Sequence, residues 1–339
     1  MPPNNAAASA RPGPVGVELP ALGFGAAPLG NLYTSVTDSQ AFAAVQRGWD
    51  LGVRYFDTAP FYGYGMSEER LGRVLSGLER ASFVLSTKVG RHIDDAPLTQ
   101  PSADGFAVHG RRAIFDYSRE GVQRSVESSL TRLKTDHIDI LLLHDIGAQT
   151  HGARHAQVLR QALEEALPEM ARLKAEGVCR AIGIGVNEMA VCLEAMPVFP
   201  LDCIMLAGRY TLLEQSAGLA VLDAAVRHRV SVIVAAPYNS GLLSVAHAPG
   251  NTYNYGSVDT ATRVRAERIY AICAGFGIEV GAAALQFPLA HSAVACVVAG
   301  VRSTAEVESG VERMRTVIPP SLWRALRDAD LLLPEVPTP

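Results

Sequence analysis

Short runs of apolar residues alternate with longer amphipathic segments along almost the whole chain. Several of the runs are continuously apolar, which is typical of parallel strands that are buried on both faces. The pattern predicts eight strands, at 21–26, 53–57, 83–88, 137–144, 179–185, 201–206, 230–236 and 294–300.

Helical patterns separate the predicted strands. Ser67 and Ser118 are suited to begin two of the helices, because a serine hydroxyl can accept a hydrogen bond from a free backbone N–H of the first turn. In the helix after Ser118, apolar residues recur every three or four positions and form a stripe. Further helices are predicted at 157–176, 188–195, 215–228, 260–276, 280–290, 304–314 and about 320–331.

Eight strand–helix units over roughly 300 residues predict an α/β fold of the (β/α)8 TIM-barrel type. A doubly wound open sheet gives the same alternation and is the structural alternative. The number of units, and the absence of a G-x-G-x-x-G turn after the first strand, favour the barrel. The stretch GVELPALGFG predicts a short N-terminal hairpin that turns near Leu19 and Pro20. We therefore predict a flexible tail at 1–16, one barrel domain at 17–333 and a C-terminal tail at 334–339.

Three long connections follow predicted strands, at 90–117, 145–156 and 239–259. All three leave the C-terminal ends of their strands. In a barrel this face carries the active site, and long loops there are usually functional.

Composition narrows the class of protein. The 339 residues are 48% hydrophobic with a net charge of −4, and no basic stripe favours nucleic acid or an acidic membrane as the partner. The N-terminus lacks the features of a signal peptide, and no run of about 18 apolar residues predicts a transmembrane helix. Five cysteines without a C-x-x-C pair indicate free, buried thiols in a reducing compartment, and no metal site is predicted. A cytoplasmic protein that acts on a small molecule, as a monomer or homodimer, fits these observations.

Three consecutive strands are predicted to end in residues that can carry chemistry. Asp57 ends the second strand, Lys88 the third and His144 the fourth, while Tyr62 follows five residues after Asp57 in the aromatic turn FDTAPFYGYG. An ammonium lowers the pKa of a nearby phenol from about 10, and a carboxylate can hold the lysine. A neutral imidazole can orient a substrate oxygen. Together these groups predict a device in which Tyr62 exchanges a proton with an alcohol or carbonyl.

The segments LGFGAAPLG, FDTAPFYGYGMSEERLG, STKVGR and DHIDILLLHDI resemble the aldo-keto reductases. The resemblance covers about 18–315. It implies a (β/α)8 barrel that binds a nicotinamide cofactor without a Rossmann domain. It also implies a catalytic tetrad, which falls on Asp57, Tyr62, Lys88 and His144.

The same resemblance implies a set of cofactor contacts. Asn187 matches the residue that holds the carboxamide, although Val186 replaces the usual serine before it. Ala207 and Ala235 stand where the family usually has a glutamine and an aromatic residue. The implied contacts are Asn187 at the nicotinamide, Ser240, Gly241 and Leu242 at the pyrophosphate, and Arg302, Ser303 and Glu308 at the adenosine. The carboxylate of Glu308 would repel a 2′-phosphate, so either NAD or NADP is expected as cofactor, with NAD modestly favoured.

Within the family, the chain is most similar to bacterial aldose 1-dehydrogenases, through GFGAAPLGNLY, FDYS-x-x-G and HDIG. This similarity implies oxidation of C1 of an aldose, of the L-fucose, L-galactose or D-arabinose type, to a lactone, with Tyr62 as general base. Asp145 stands where simple carbonyl reductases often have an aromatic residue. The predicted substrate contacts are Asp145, Phe61, His109 and Arg209.

Two other activities use the same tetrad and stay open: a pyridoxal 4-dehydrogenase, and an NADPH-dependent reductase of aldehydes or ketones. Two further alternatives are a cofactor-binding channel subunit and a barrel aldolase with Lys88 as Schiff base. The first has no interaction helix to support it. The second needs a lysine of lowered pKa, whereas Asp57 would keep Lys88 charged.

Overall fold

All eight apolar runs form parallel strands that close into a barrel. The computed structural model describes residues 13–14, 16–95, 104–245, 252–253 and 256–339. The barrel strands are β1 (Leu22–Gly25), β2 (Tyr55–Asp57), β3 (Val84–Val89), β6 (Ile138–His144), β7 (Cys179–Val186), β8 (Cys203–Ala207), β9 (Ser231–Ala235) and β12 (Val294–Gly300). Around the barrel they are hydrogen-bonded in the order β1–β12–β9–β8–β7–β6–β3–β2. The predicted (β/α)8 barrel is therefore confirmed. The open-sheet alternative is wrong, because β1 is hydrogen-bonded to both β2 and β12.

Helices pack around the outside of the barrel. They are α1 (Asp38–Asp50), α2 (Met66–Leu75), α3 (Arg119–Leu133), α4 (Ala148–His151), α5 (His155–Gln161), α6 (Leu167–Ala175), α7 (Met189–Ala195), α8 (Ser216–His228), α9 (Thr260–Gly275), α10 (Val280–Gln286), α11 (Thr304–Arg315) and α12 (Pro320–Asp328). The cap predicted at Ser118 is confirmed, since its hydroxyl accepts from the Gly121 N–H. The cap predicted at Ser67 is wrong: α2 begins at Met66, and the buried Ser67 hydroxyl donates to the carbonyl of Ala26.

Side chains alternate between the two faces of each strand, and this alternation selects what reaches the barrel interior. In β6, Ile140 and Leu142 pack inside the barrel, whereas Leu141 and Leu143 pack against the helices. The next inward position on each of three adjacent strands carries a polar residue at the C-terminal rim. Two residues after the inward-facing Tyr55, Ser86 and Leu142, these positions are occupied by Asp57, Lys88 and His144, respectively.

Among the described residues, the predicted N-terminal hairpin does not form with β1. Both edges of β1 are occupied by barrel strands, so residues 16–19 have no edge of β1 to pair with. Instead, Val17 and Leu19 are buried against residues of the barrel interior such as Tyr55 and Ile140. This segment therefore closes the N-terminal end of the barrel. The predicted flexible tail at 1–16 lies almost entirely outside the described residues.

Two of the predicted loops contain secondary structure. Residues 90–117 carry an antiparallel hairpin of β4 (Arg91–Asp95) and β5 (Arg111–Phe115), and residues 239–259 carry the short pair β10 (Thr252–Tyr253) and β11 (Gly256–Ser257). Helical structure begins at Ala148, earlier than predicted. In the predicted C-terminal tail, Val336 is buried against the outer core.

All five cysteines are free and buried, as predicted. In the part of the chain that the structure describes, no group of three or more His, Cys, Asp or Glu side chains is arranged to hold a metal ion. No single helix among those residues is long and apolar enough to cross a membrane. One bent pair, Thr260–Gly275 with Val280–Ala290, meets the criterion only by length and composition.

Candidate active site

Lys88 and Asp57 form a buried ion pair at the C-terminal rim of the barrel. The Lys88 Nζ lies 2.9 Å from each carboxylate oxygen of Asp57 and donates to the carbonyl of Thr58 at 2.8 Å. A hydroxyl two residues before Lys88 on β3 completes the support, because Ser86 donates to Asp57 at 2.7 Å. The ammonium and the carboxylate are therefore held in one geometry by bonds on several sides.

Tyr62 and His144 complete the group. The Lys88 Nζ lies 4.7 Å from the centre of the Tyr62 ring, and the Tyr62 and His144 rings are 6.0 Å apart and perpendicular. The turn that carries Tyr62 depends on two glycines. Gly63 has a φ of 63°, and a Cβ added there would lie 2.5 Å from the Gly30 carbonyl oxygen. Only glycine fits this close backbone contact, which fixes Tyr62 above the barrel mouth.

The charges of Lys88 and Asp57 are mutually stabilised. Burial by itself lowers the pKa of Lys88. The Asp57 carboxylate and the Tyr62 phenol together raise it by more than burial lowers it, so the net pKa is raised. Burial raises the pKa of Asp57, and Lys88 opposes that shift. A lysine with a raised pKa is a poor Schiff-base nucleophile, so the geometry speaks against the aldolase alternative.

The two uncharged members of the group respond in opposite directions. Burial raises the pKa of Tyr62, and the opposing effect of Lys88 does not offset it. The predicted lowering of the Tyr62 pKa by Lys88 is present, but burial raises the pKa by more, so the net pKa is raised. Burial, with the nearby cations Arg91 and Lys88, lowers the pKa of His144 well below 6.5. His144 is consequently a neutral imidazole at physiological pH.

One cavity of about 630 Å³ runs from this group across the C-terminal face to helix α11. Its volume is within the range of about 300–1,000 Å³ that is typical of small-molecule sites. Tyr62, Lys88 and His144 lie where its two halves meet. One half is lined by Phe61, Phe106, Asp104 and Asp145, and the other by Asn187, Asn239, Ser240, Gly241, Arg302 and Glu306.

The second half offers unused polar groups that fit a dinucleotide. Among the described residues, the buried Asn239 Oδ1 has no hydrogen-bond partner. The Arg302 Nε also has no hydrogen bond, although it lies 3.3 Å from the Glu306 carboxylate. The Ser240 N–H likewise has no acceptor there, and Asn239, Ser240 and Gly241 all have positive φ. Exposed backbone N–H groups in such loops bind phosphate oxygens. Gly241 and Leu242 differ from the expectation, because their N–H groups already donate to the carbonyls of Tyr238 and Asn239. The Leu242 side chain is also buried in the outer core.

Asn187, Ala207 and Ala235 all line the cavity, as the resemblance implied for their positions. Of the residues expected at the adenosine, only Arg302 lines it. The Ser303 hydroxyl instead caps α11 by accepting from the Glu306 N–H at 3.3 Å.

Glu308 points away from the cavity and pairs with Arg47 of α1 at 2.7 Å. A helix turns about 100° per residue, so Glu308 lies on the opposite face of α11 from Glu306. Glu306 is the carboxylate that meets Arg302. It accepts from the Arg302 N–H at 2.7 Å and lies 3.3 Å from its Nε. The carboxylate beside Arg302 is therefore that of Glu306 and not that of Glu308.

Of the four predicted substrate contacts, two line the cavity and two do not. Phe61 and Asp145 line the cavity beside His144. His109 is exposed and away from it. Arg209 lies behind the wall, where its Nε donates to the carbonyl of Asn187 at 2.7 Å.

Three residues near the substrate half were missed in the sequence. Phe106 packs against Phe61 at 5.2 Å between ring centres, and Asp104 accepts from the Tyr64 hydroxyl at 2.5 Å. Both lie in a segment without periodicity, so no local pattern marks them. Arg91 pairs with Asp145. A signal existed for Arg91, since it follows Lys88 by three residues in STKVGR, directly after a strand end.

The fold and the rim together define a (β/α)8 barrel in which a tyrosine, an ion-paired lysine and a neutral histidine meet beside a dinucleotide-sized cavity. The chain belongs to the aldo/keto reductase family, whose sequence profile matches residues 21–330. It is therefore an oxidoreductase of a family that uses NAD(P)(H).

Three known proteins show how close the similarity is. D-threo-aldose 1-dehydrogenase of Pseudomonas sp is 39% identical over 330 residues, which is 96% of this chain and 97% of that protein. Pyridoxal 4-dehydrogenase of Microbacterium luteolum is 38% identical over 337 residues, 94% and 96% of the two chains. The solved holo form of an aldo-keto reductase from Bacillus halodurans is 26% identical, with a TM-score of 0.72 over 94% of both chains.

Proposed function

We propose that this enzyme oxidises C1 of an aldose, of the L-fucose, L-galactose or D-arabinose type, to the lactone. The observation that carries the proposal is the position of Tyr62, Lys88 and His144 at the junction of the two halves of the cavity. A substrate in one half and a dinucleotide in the other would meet at these groups. The 39% identity to D-threo-aldose 1-dehydrogenase, over 96% of this chain, supports an aldose as the substrate.

The four residues divide the work of removing a proton. In the Nε2–H tautomer, neutral His144 donates to the C1 oxygen and orients it. Tyr62, as phenolate, accepts the proton of the C1 hydroxyl, and the Lys88 ammonium stabilises that phenolate. Asp57 keeps Lys88 charged and in place. The C1–H and O1–H bonds break and the carbonyl of the lactone forms.

A nicotinamide cofactor, when bound, supplies the hydride acceptor that no side chain can provide. Asn187 would hold the nicotinamide end, the Ser240 backbone N–H the phosphates, and Arg302 the adenosine end. Glu306 already forms an ion pair with Arg302, and the negative charge of Glu306 would repel a 2′-phosphate. We therefore propose that NAD is used in preference to NADP.

A second candidate activity is oxidation of pyridoxal. Its support is the 38% identity to pyridoxal 4-dehydrogenase, together with the Phe61 and Phe106 rings on the substrate side, which suit a flat aromatic ring. Reduction of aldehydes or ketones with NADPH uses the same groups in the reverse direction and is the third candidate.

We also propose that the enzyme is cytoplasmic, with a small molecule as its partner, and that it acts as a monomer or homodimer. The five buried, unpaired thiols support a reducing compartment.

The test is the rate of NADH formation by purified enzyme with L-fucose, L-galactose, D-arabinose, D-glucose and pyridoxal, with NADP in parallel. Turnover of the first three sugars is expected. Tyr62→Phe should lower kcat by about 100-fold to 10,000-fold, while the Kd for NADH stays unchanged. Activity with pyridoxal and with none of the sugars would reject the aldose as the substrate. Full activity of Tyr62→Phe would contradict the role of Tyr62 in proton transfer.

The pH dependence checks the proton-transfer role separately. Oxidation needs deprotonated Tyr62, whose pKa is raised by burial, so the oxidation rate should rise with pH into the alkaline range. Reduction needs the Tyr62 proton and should lose rate as pH rises. Parallel rather than opposed profiles would contradict the role of Tyr62.

A further inference from the structure

Arg91 reaches the active site from the hairpin that follows β3. The chain turns at Gly90, whose φ is 97° and whose added Cβ would lie 2.5 Å from the Tyr117 ring. The Arg91 guanidinium then lies between two aromatic rings, 3.8 Å from the centre of Phe61 and 4.5 Å from that of Phe115. Only 6% of Arg91 is exposed. A guanidinium stacked in this way keeps one orientation.

The partner of Arg91 is Asp145, the residue after His144. The two side chains form a salt bridge through Asp145 Oδ2. The Asp145 backbone is fixed at a φ of 48°, with its N–H donating to Gly185 at 3.0 Å and its carbonyl accepting from Tyr117 at 3.0 Å. Left-handed backbone is uncommon for a residue other than glycine. The carboxylate is therefore held in place from both its backbone and its charged end.

The carboxylate also lies beside the group proposed to bind the reacting oxygen. Asp145 Oδ2 is 3.5 Å from His144 Nε2. Its other oxygen, Oδ1, has no hydrogen-bond donor among the residues that the structure describes, and 19% of the side chain is exposed, in the wall of the cavity. One donor and one acceptor thus stand side by side. The oxygens of two hydroxyls on adjacent carbons are separated by roughly one hydrogen-bond length, which matches this arrangement.

We propose that the Arg91–Asp145 pair selects uncharged substrates that carry a hydroxyl on the carbon next to the reacting carbon. Asp145 accepts a hydrogen bond from that hydroxyl, and Arg91 is a positioning residue that holds Asp145. Because the pair is internally neutral, it leaves no cation for an acidic substrate. This inference deepens the proposed function and shares its assignment of His144 to the reacting oxygen.

The test compares lactaldehyde with propanal, which differ only in the adjacent hydroxyl, as substrates for reduction with NADH. Wild-type enzyme should prefer lactaldehyde in kcat/KM by about 10-fold to 100-fold, as expected for a hydrogen bond to a charged group. Asp145→Asn should lower the preference by about 10-fold, mainly through lactaldehyde, because it removes the negative charge while keeping the shape. The Kd for NADH should not change.

A pH readout separates positioning by Arg91 from a purely structural role. Arg91 and Lys88 both lower the pKa of His144, and Arg91 opposes the effects of burial and Glu188 on the pKa of Asp145. In Arg91→Met, both pKa values should rise. As the pH is lowered, His144 and Asp145 would then become protonated at a higher pH than in the wild-type enzyme. The acid limb of kcat/KM for lactaldehyde should therefore move to higher pH. Arg91→Lys keeps the charge and should restore the limb.

The matched control is Arg112→Met, which breaks the Arg112–Asp94 pair at 3.0 Å on the same hairpin, where both side chains are exposed. It should change neither the preference nor the acid limb. Equal rates with both aldehydes in wild-type enzyme, or an equal loss with both in Asp145→Asn, would overturn the proposal. The enzyme could also prefer lactaldehyde through Asp145 and yet oxidise no sugar. That result would support the proposal for the Arg91–Asp145 pair and reject only the aldose assignment.

Discussion

The barrel mouth and the outer helix layer each contain a short ion pair, and the two pairs differ in almost everything else. Lys88 and Asp57 are 2.9 Å apart and 2% and 4% exposed, while Arg47 and Glu308 are 2.7 Å apart and 41% and 49% exposed. Distance alone would rank the outer pair as the stronger. Burial decides otherwise, because water screens the exposed charges and cannot reach the buried ones.

The difference teaches where an ion pair can shift the chemistry of a neighbour. Lys88 affects the pKa of Tyr62, Asp57 and His144, because these groups share one water-poor site. Arg47 and Glu308 join two helices on the surface, and neither of them lines the cavity. A carboxylate in the right stretch of sequence is therefore not sufficient for a functional role.

Breaking each pair with the same substitution should give the largest contrast. Lys88→Met leaves the Asp57 carboxylate buried without its cation, which costs about 3–5 kcal/mol of the free energy of unfolding. It should also lower kcat by about 100-fold or more, because Tyr62 loses its cation. Arg47→Met should cost about 0–1 kcal/mol and leave kcat unchanged. Denaturant unfolding and steady-state rates measure both effects.

The double variant Asp57→Asn with Lys88→Met serves as the control for this comparison. Replacing both charges removes the unpaired carboxylate, so most of the lost stability should return. Activity should not return, since no ammonium faces Tyr62. Equal stability losses in Lys88→Met and Arg47→Met would show that burial does not separate the two pairs.

Cofactor preference sharpens the comparison within one helix. Glu306→Gln keeps a hydrogen-bond acceptor for the Arg302 N–H but removes the charge that opposes a 2′-phosphate. The ratio of kcat/KM for NADP to that for NAD should rise by about 10-fold, which is about 1.4 kcal/mol.

Glu308→Gln is the matched variant, with the same chemical change on the opposite face of α11. It should leave the NADP to NAD ratio unchanged. A shift in Glu308→Gln without one in Glu306→Gln would restore the role that the sequence assigned to Glu308.

Strand-borne residues could be predicted from the sequence because a strand has only two faces. Once β2, β3 and β6 were recognised, Asp57, Lys88 and His144 followed from their places at the strand ends. Parallel pairing then brought these ends to one rim. The sequence therefore predicted the barrel and three of the four catalytic candidates from strand ends, and Tyr62 from the short aromatic turn after Asp57.

Residues on helices and in long connections could not be placed in this way. An error of two residues along α11 rotates a side chain by about 200°, which exchanges Glu306 for Glu308. Arg91 and Phe106 come from the 90–117 segment, where the packing of a hairpin on the rim decides which side chains reach the cavity. That packing depends on distant residues, so no local pattern indicates Phe106, whereas the place of Arg91 directly after the end of β3 is a local signal.

The smallest expected effect concerns Ser303, whose hydroxyl caps α11 and does not line the cavity. Ser303→Ala should cost about 1 kcal/mol of the free energy of unfolding, because the Glu306 N–H loses its acceptor. The KM for NADP should stay unchanged, since the side chain is already used within the helix. Ser118→Ala removes the equivalent cap of α3, far from Arg302, and should cost a similar amount. If Ser303→Ala raised the KM for NADP while Ser118→Ala did not, the Ser303 hydroxyl would be a phosphate ligand as well as a cap. The role that the sequence predicted for Ser303 would then be correct, as are the positions predicted for the residues at the strand ends.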